Sequence, residues 1–481
     1  MLRYRALISQ ARSARSVFSY WKITHAAPFY VSGDPVYVSK YNILLDVENH
    51  TEKILINPLS RSIDVVDGDN EICAFLKGAD SSGSVKASDR DYLLQRGYLF
   101  NEPEEEENLI NRAIKKDDHE EYPCDFLLYP TFHCNFRCTY CFQKDLPKYS
   151  FISKKYVDKA FEGIESICRD LHINSPLLYL FGGEPLLKGK RAKETAAYTL
   201  QQAHTRGYRT AIVTNGSNVQ SYSPLLRKYE VEFIQITLDG PQHIHDTRRI
   251  YVNGKGTFND IKKGIESLLD SDIKLMIRIN LDSQNIEYIP EFADFVYRSG
   301  WDKDNVTVFV GPYRDLSCRS YKYQLPEHVM LRRMFSFYEE NPTTKIIKLL
   351  AWPGAEYIQH FLYTRELPPP RVSYCISSYG RYGFDAEGYV YACGNAAGNR
   401  EYAIGRYYPD ISFDEDRVNM WRKRRFNTMP HCNECALAPL CGGGCTLQSL
   451  LKFGGKKPFC PEILENLTVA ATYYFDRIVG D

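Results

Sequence analysis

Cys134-Asn135-Phe136-Arg137-Cys138-Thr139-Tyr140-Cys141, just past an apolar strand predicted over 125–131, is the stretch that decides the fold. Three cysteines within eight residues place three thiolates on one tight loop. Such a loop can hold three irons of a [4Fe-4S] cluster, and with no fourth Cys following nearby one iron keeps an open position for a small molecule. On residue type alone the same loop also suits a zinc knuckle, with His133 the nearest further donor, or three buried apolar thiols.

Outward from this loop the chain alternates apolar strands with amphipathic helices. Strands are expected over 125–131, 176–181, 209–215, 231–239, 273–281 and 305–311, with helices such as Lys154–Asp170 between them. In that helix Val157, Ala160, Phe161, Ile164 and Cys168 recur at helical spacing, which makes Cys168 core filling. Six βα units with short loops imply parallel strands and right-handed crossovers, as an open sheet or a partial barrel. Sites in such folds lie at the carboxyl ends of the strands, where the cysteine loop stands.

The second strand ends in Phe181-Gly182-Gly183-Glu184-Pro185. Two glycines let the backbone approach a ligand closely, and Glu184 supplies a carboxylate for an ammonium group. The third strand ends Val213-Thr214-Asn215-Gly216 and the fourth Ile236-Thr237-Leu238-Asp239-Gly240-Pro241, each placing short polar side chains at a strand end.

Cysteine spacing, Tyr140 before the third Cys and the Gly-Gly-Glu-Pro turn together resemble the radical S-adenosylmethionine (radical SAM) enzymes. The resemblance implies a (β/α)6 TIM-like partial barrel. It also implies a [4Fe-4S] cluster on Cys134, Cys138 and Cys141 whose open iron binds SAM, cleaved to a 5′-deoxyadenosyl radical. SAM contacts would come from Tyr140, from Gly182, Gly183 and Glu184 at the amino group, from Asn215, and from Thr237 and Asp239 near the ribose. Arg248 or Arg249 would meet the carboxylate, with Asn280 and Leu281 on the adenine side.

A second cysteine pattern closes the chain: Cys375, then Gly388 and Cys393, then Cys432, Cys435, Cys441, Cys445 and Cys460. Read alone, its Cys-x-x-Cys pair fits zinc ribbons. The whole pattern resembles the seven-cysteine SPASM domain of radical SAM peptide-modifying enzymes, which implies two auxiliary [4Fe-4S] clusters. By that correspondence Cys432, Cys435, Cys441 and Cys460 hold one, while Cys375, Cys393 and Cys445 hold the other. Some relatives add a ligand a few residues after the first of these cysteines, but Arg381 and its neighbours offer none, which leaves an open iron, Cys318 or a non-Cys ligand. Cys73, Cys124, Cys168 and Cys318 remain as structural thiols.

Residues 38–116 read as three strands (41–47, 53–59, 62–67) followed by three helices (70–77, 89–96, 104–116), a winged-helix-like unit. It resembles the leader-recognition module of peptide maturases, in which a leader adds as a strand to the third strand. The expected organisation is therefore a basic extension over 1–37 with Arg3, Arg5, Arg12, Arg15 and Lys22, the module over 38–120, the barrel over 121–345 and a SPASM domain over 346–481.

Composition narrows the partners. The 60 basic and 60 acidic residues cancel, so no global field recruits nucleic acid or an anionic membrane. No run of about 18 apolar residues could span a bilayer, and the start lacks the apolar core of a secretory signal, so a cytoplasmic protein is expected. With 14 cysteines and no such signal, metal ligation is favoured over disulfides.

The function implied is a radical SAM peptide maturase that forms a thioether or carbon–carbon crosslink in a ribosomally made precursor peptide, fed by a flavodoxin- or ferredoxin-like electron donor. One alternative is an anaerobic sulfatase-maturing enzyme. Those relatives carry an Asp base after the cysteine that corresponds to Cys393, and here Gly394 follows. An alternative of another class is a non-catalytic iron-sulfur electron carrier or peptide-binding scaffold.

Overall fold

The structure is a computed structural model that describes residues 29–31, 34–69, 71–76, 85–119, 124–146, 151–314 and 321–480. Residues 1–28 of the basic extension and Cys318 lie outside the described residues.

The first unit is built from β1 (Phe29–Val31), β2 (Asp34–Val38), β3 (Ile43–Asp46), β4 (Lys53–Asn57) and β5 (Ser62–Val66), followed by α1 (Glu71–Leu76), α2 (Ala87–Gln95), β6 (Leu99–Phe100) and α3 (Pro103–His119). β3, β4 and β5 form an antiparallel sheet in that order, and β2 lies between β1 and β6 in a second one. The strands β1, β2 and β6 were not expected from sequence; β6 has two residues, too few to show a period. Period-two alternation sends Ile43, Leu45, Ile54 and Ile56 to one face of the β3–β5 sheet, where they join the main core. Leu44 and Leu55 face the other way, against Val36, Phe75, Leu93, Tyr98 and Leu99.

The barrel runs β7 (Asp125–Leu128), α4 (Lys154–Asp170), β8 (Leu177–Leu180), α5 (Lys190–Thr205), β9 (Arg209–Thr214), α6 (Val219–Lys228), β10 (Phe233–Thr237), α7 (Gln242–Arg248), α8 (Phe258–Glu266), β11 (Lys274–Leu281), α9 (Ile289–Arg298) and β12 (Val306–Pro312). After α10 (Glu327–Glu340), a short strand β13 (Ile347–Leu349) adds parallel to β12, one strand beyond the six expected. β7 to β13 are all parallel. Leu275, Ile277, Ile279 and Leu281 of β11 are buried in the core with the helices, each worth about 1.5–3 kcal/mol of burial. Met276, Arg278 and Asn280 alternate with them, keep some accessibility and face the lumen.

β14 (Arg381–Phe384) pairs in parallel with β7 and continues as an antiparallel run through β15 (Tyr389–Tyr391), β16 (Ala403–Arg406) and β17 (Ser412–Phe413). One sheet of eleven strands therefore joins barrel and C-terminal region among the described residues. Arg381 Nη2 meets Asp125 Oδ2 at 2.6 Å between register partners of that junction. No helix among the described residues is long and apolar enough to cross a membrane.

Candidate functional site

The cysteine loop leaves the carboxyl end of β7 and is laid against the segment that follows α7. Arg137 N donates to Ile250 O (2.7 Å), Thr139 N to Arg248 O (2.9 Å) and Val252 N to Asn135 O (2.9 Å). Phe136 packs edge-on against Tyr251 with centroids 5.1 Å apart. This pairing brings the segment of Arg248 and Arg249, more than a hundred residues downstream, against the cysteine loop.

Gly182 and Gly183 bring the end of β8 against the same loop. A Cβ on Gly182 would lie 2.5 Å from Thr131 O and one on Gly183 2.3 Å from His133 O. Gly183 N and Glu184 N donate to those two carbonyls at 3.1 and 2.8 Å. The glycines thus make room for the backbone that leads into the cysteine loop, where the sequence reading expects close approach to a ligand.

Glu184 is buried and accepts from Leu186 N (2.8 Å) and Thr214 Oγ1 (2.6 Å) at Oε1 and from Asn215 N (2.6 Å) at Oε2. A carboxylate has about four lone-pair positions, so Oε2 keeps one for an ammonium donor. Burial raises the Glu184 pKa against the pull of those hydrogen bonds. Asn215 Nδ2 also lies 3.8 Å from Cys134 Sγ, a donor to the sulfur of the kind that tunes iron-sulfur potentials.

Tyr140 is the hub of the opposite wall. Its hydroxyl donates to Asp239 and accepts from Arg249 Nη1 (2.8 Å) and Asn280 Nδ2 (3.1 Å). Asp239 Oδ1 accepts from Asn280 N at 2.9 Å. Arg248 has no solvent exposure; Nη1 donates to Asp282 Oδ1 at 2.5 Å, Nη2 to Asn280 O at 3.0 Å, and Nε lies 3.5 Å from Asp239 Oδ2. Against the rise that burial alone would bring, Arg248 and Arg249 hold the Asp239 pKa below its usual value. Asp239 and Arg248, read from sequence as ligand contacts, stand as an ion pair inside the wall. Arg249 stands at the cysteine loop, its guanidinium 5.7 Å from the centre of the Phe136 ring. Thr237 is buried at the end of β10.

Sequence reading missed His245. Its Nδ1 accepts from Asp239 N at 3.0 Å, so Nε2 carries the proton and donates to Thr257 Oγ1 at 2.9 Å, which donates to Arg249 O at 2.7 Å. Burial and Arg249 push the His245 pKa down to about 3, so the ring is neutral and its two bonds stay defined. A His four residues before Arg249 was the available signal.

Burial raises Cys134 to about 11 and Cys138 to about 12, so loading a cluster expels protons. The charge neighbourhoods of the C-terminal thiols fall into two sets. Cys393 feels Cys375 and Cys445; Cys441 feels Cys432, Cys435 and Cys460. The Cys441-Gly-Gly-Gly-Cys445 turn makes this possible: a Cβ on Gly442 would lie 2.4 Å from Ser373 C, and one on Gly444 1.8 Å from Phe459 O. Three chain segments, each bearing cysteines, meet there. Among the described residues no three His, Cys, Asp or Glu side chains converge as around a single ion. Tyr129, at the end of β7, donates to Gly394 O at 3.0 Å, which sets Cys393 against the mouth from which the cysteine loop departs.

The comparisons agree with this geometry. Residues 128–296 match the Radical SAM superfamily. The Fe-coproporphyrin III synthase of Methanosarcina barkeri is 27% identical over 34% of this chain and 39% of its own length, so the chain spans well under half of that relative. A cysteine-type anaerobic sulfatase-maturating enzyme of Clostridium novyi is 24% identical over 65% of this chain and 85% of its own. The solved structure of Streptococcus suis SuiB bound to precursor peptide SuiA superposes with a TM-score of 0.53 at 17% identity, covering 89% of this chain and 99% of that one. Residues 128–296 are thus a radical SAM domain, of the superfamily whose enzymes work with a [4Fe-4S] cluster and S-adenosylmethionine.

Proposed function

We propose that the chain matures a ribosomally made peptide, forming a thioether or carbon–carbon crosslink, with Cys134, Cys138 and Cys141 holding the SAM cluster and the seven C-terminal cysteines two auxiliary clusters. When bound, cluster and SAM supply one-electron abstraction of a hydrogen atom from an unactivated C–H bond. The observation that supports the reading is the Tyr129–Gly394 contact, which sets the residue after Cys393 against the end of the strand that leads into the cysteine loop. A redox group there can take the electron that bond formation releases.

This chain's own residues do the positioning. Glu184 Oε2 offers an acceptor to the SAM amino group, Arg249 a cation beside the thiols, and Tyr140 orients Arg249. Among the described residues β5 pairs only with β4, leaving one edge for a leader strand. The peptide bound in the SuiB structure supports a peptide substrate. A flavodoxin- or ferredoxin-like protein would supply electrons.

A second reading, oxidation of a cysteine in a sulfatase, is favoured by the likeness to the C. novyi enzyme. Position 394 weighs against it: a Cβ there would lie 3.1 Å from both Tyr129 Oη and Leu127 Cδ2, leaving no room for an Asp base without movement.

The test is anaerobic co-expression with short peptides encoded beside the gene, followed by mass spectrometry. Loss of two hydrogens per modified site, absent with Cys134→Ala, is expected. Unchanged peptide masses alongside continued deoxyadenosine release would overturn the peptide reading while keeping the radical SAM one.

A further inference from the structure

We infer that Arg278 is a substrate-binding residue of the barrel lumen, which receives a carboxylate of the peptide, an acidic side chain or a carboxyl terminus. The inference rests on the peptide reading above and names the chemistry the peptide must present.

Arg278 lies in the lumen-facing row of β11. Its register partners are Thr237 on β10 and Phe309 on β12, and residues in register on parallel strands share a face. Nε donates to Asn280 Oδ1 at 2.8 Å, and the guanidinium stands 6.0 Å from the centre of the Phe309 ring. Gly311 makes room for the guanidinium itself, since a Cβ there would come 3.1 Å from Nη2.

Several other enclosed arginines have carboxylates, whereas buried Arg249 has Tyr140 Oη. Arg248 meets Asp282 and Asp239, Arg314 both oxygens of Glu327, Arg371 meets Glu356, and Arg381 meets Asp125. For Arg278 no carboxylate lies within 4.0 Å among the described residues. Its strongest charged neighbour is another cation, Arg314, and burial with that neighbour lowers its basicity. An enclosed charge without a partner is costly, and a guanidinium fork matches a carboxylate with two parallel hydrogen bonds.

Position argues for substrate over SAM. Arg249 is the cation in contact with the cysteine loop, donating to Tyr140 Oη at 2.8 Å and standing 5.7 Å from the centre of the Phe136 ring. Arg278 is one side chain further from that loop, held by Asn280, whose Nδ2 donates to Tyr140 Oη at 3.1 Å. It keeps some accessibility on the lumen side of β11, where a substrate residue can reach it.

The test uses the anaerobically reconstituted full chain with SAM. Calorimetry compares the peptides Ac-Gly-Glu-Gly-NH2 and Ac-Gly-Gln-Gly-NH2, and free glutarate, on the wild type, Arg278→Met and Arg278→Lys. Expected are at least tenfold tighter binding of the Glu peptide than the Gln peptide, loss of that preference in Arg278→Met with SAM affinity unchanged, and a melting temperature equal to or above wild type. Equal binding of the two peptides by the wild type overturns the proposal. So does a tenfold loss of SAM affinity in Arg278→Met, which would give the guanidinium to SAM, or collapse of the fold in Arg278→Met, which would give it a partner within the protein. Arg278→Lys, which keeps the charge, should retain part of the Glu preference. Arg278-dependent binding of glutarate as tight as that of the Glu peptide keeps the carboxylate site and fails the peptide reading.

Discussion

Asn215 N donates to Glu184 Oε2 at 2.6 Å, tying the end of the third barrel strand to the turn after the second. The same Asn215 reaches Cys134 Sγ, so one residue aligns the carboxylate and the first thiol.

Glu184→Gln should keep the iron content and weaken SAM binding. Losing the charged acceptor for an ammonium costs about 1.5–3 kcal/mol, or roughly 10- to 100-fold in affinity. Anaerobic calorimetry with SAM measures it; wild-type affinity would remove Glu184 from the site.

Replacing Cys134, Cys138 or Cys141 with Ala should abolish deoxyadenosine formation. Replacing Cys375, Cys393 or Cys445 should leave SAM cleavage running while the peptide product disappears. Chromatography of both products decides, and undiminished peptide product in the second set would remove any auxiliary-cluster role.

Tyr140→Phe removes the hydroxyl shared by Asp239, Arg249 and Asn280. Leaving such buried groups short of a partner costs about 1–3 kcal/mol. Denaturant unfolding of the apoprotein measures the loss, which should exceed that of Tyr297→Phe at an exposed site.

Two buried groups pull the acid stability in opposite directions. His245, with a folded pKa near 3 against 6.5, contributes stability that is present above 6.5 and lost as pH falls through that window, by about 1.4 kcal/mol per pH unit. Burial raises Asp385 from 3.8 to about 6, so its contribution is present below 3.8 and lost as pH rises through 6. Between about pH 4 and 6 the two offset each other. Asp385→Asn should therefore steepen the fall in stability on acidification across that interval. Parallel pH–melting profiles for variant and wild type would disprove the pairing.

What could be read from the chain beforehand was what sits close in sequence. Cys134, Cys138 and Cys141 fall on one turn, and Gly182 to Pro185 end one strand, so spacing alone exposes them. The Arg248–Asp239–Asp282 network could not be read, because ionic partners are chosen by which strand ends adjoin. The same holds for Gly182 and Gly183, legible as glycines needing space, with the segment that needs the space supplied by the fold. β6 and β13 are too short to carry a period, and His245 looks like any polar helix residue until Thr257 folds over it.

The parallel pairing of β7 with β14 also sets an order of events at the ribosome. Asp125 and Arg381 lie 256 positions apart, so the strand that carries the cysteine loop waits with one raw edge until the C-terminal region emerges. A chain cut before residue 381 would leave that edge open to other strands. Of the seven C-terminal cysteines only Cys375 precedes that strand, so the edge can close while the other six are still to come.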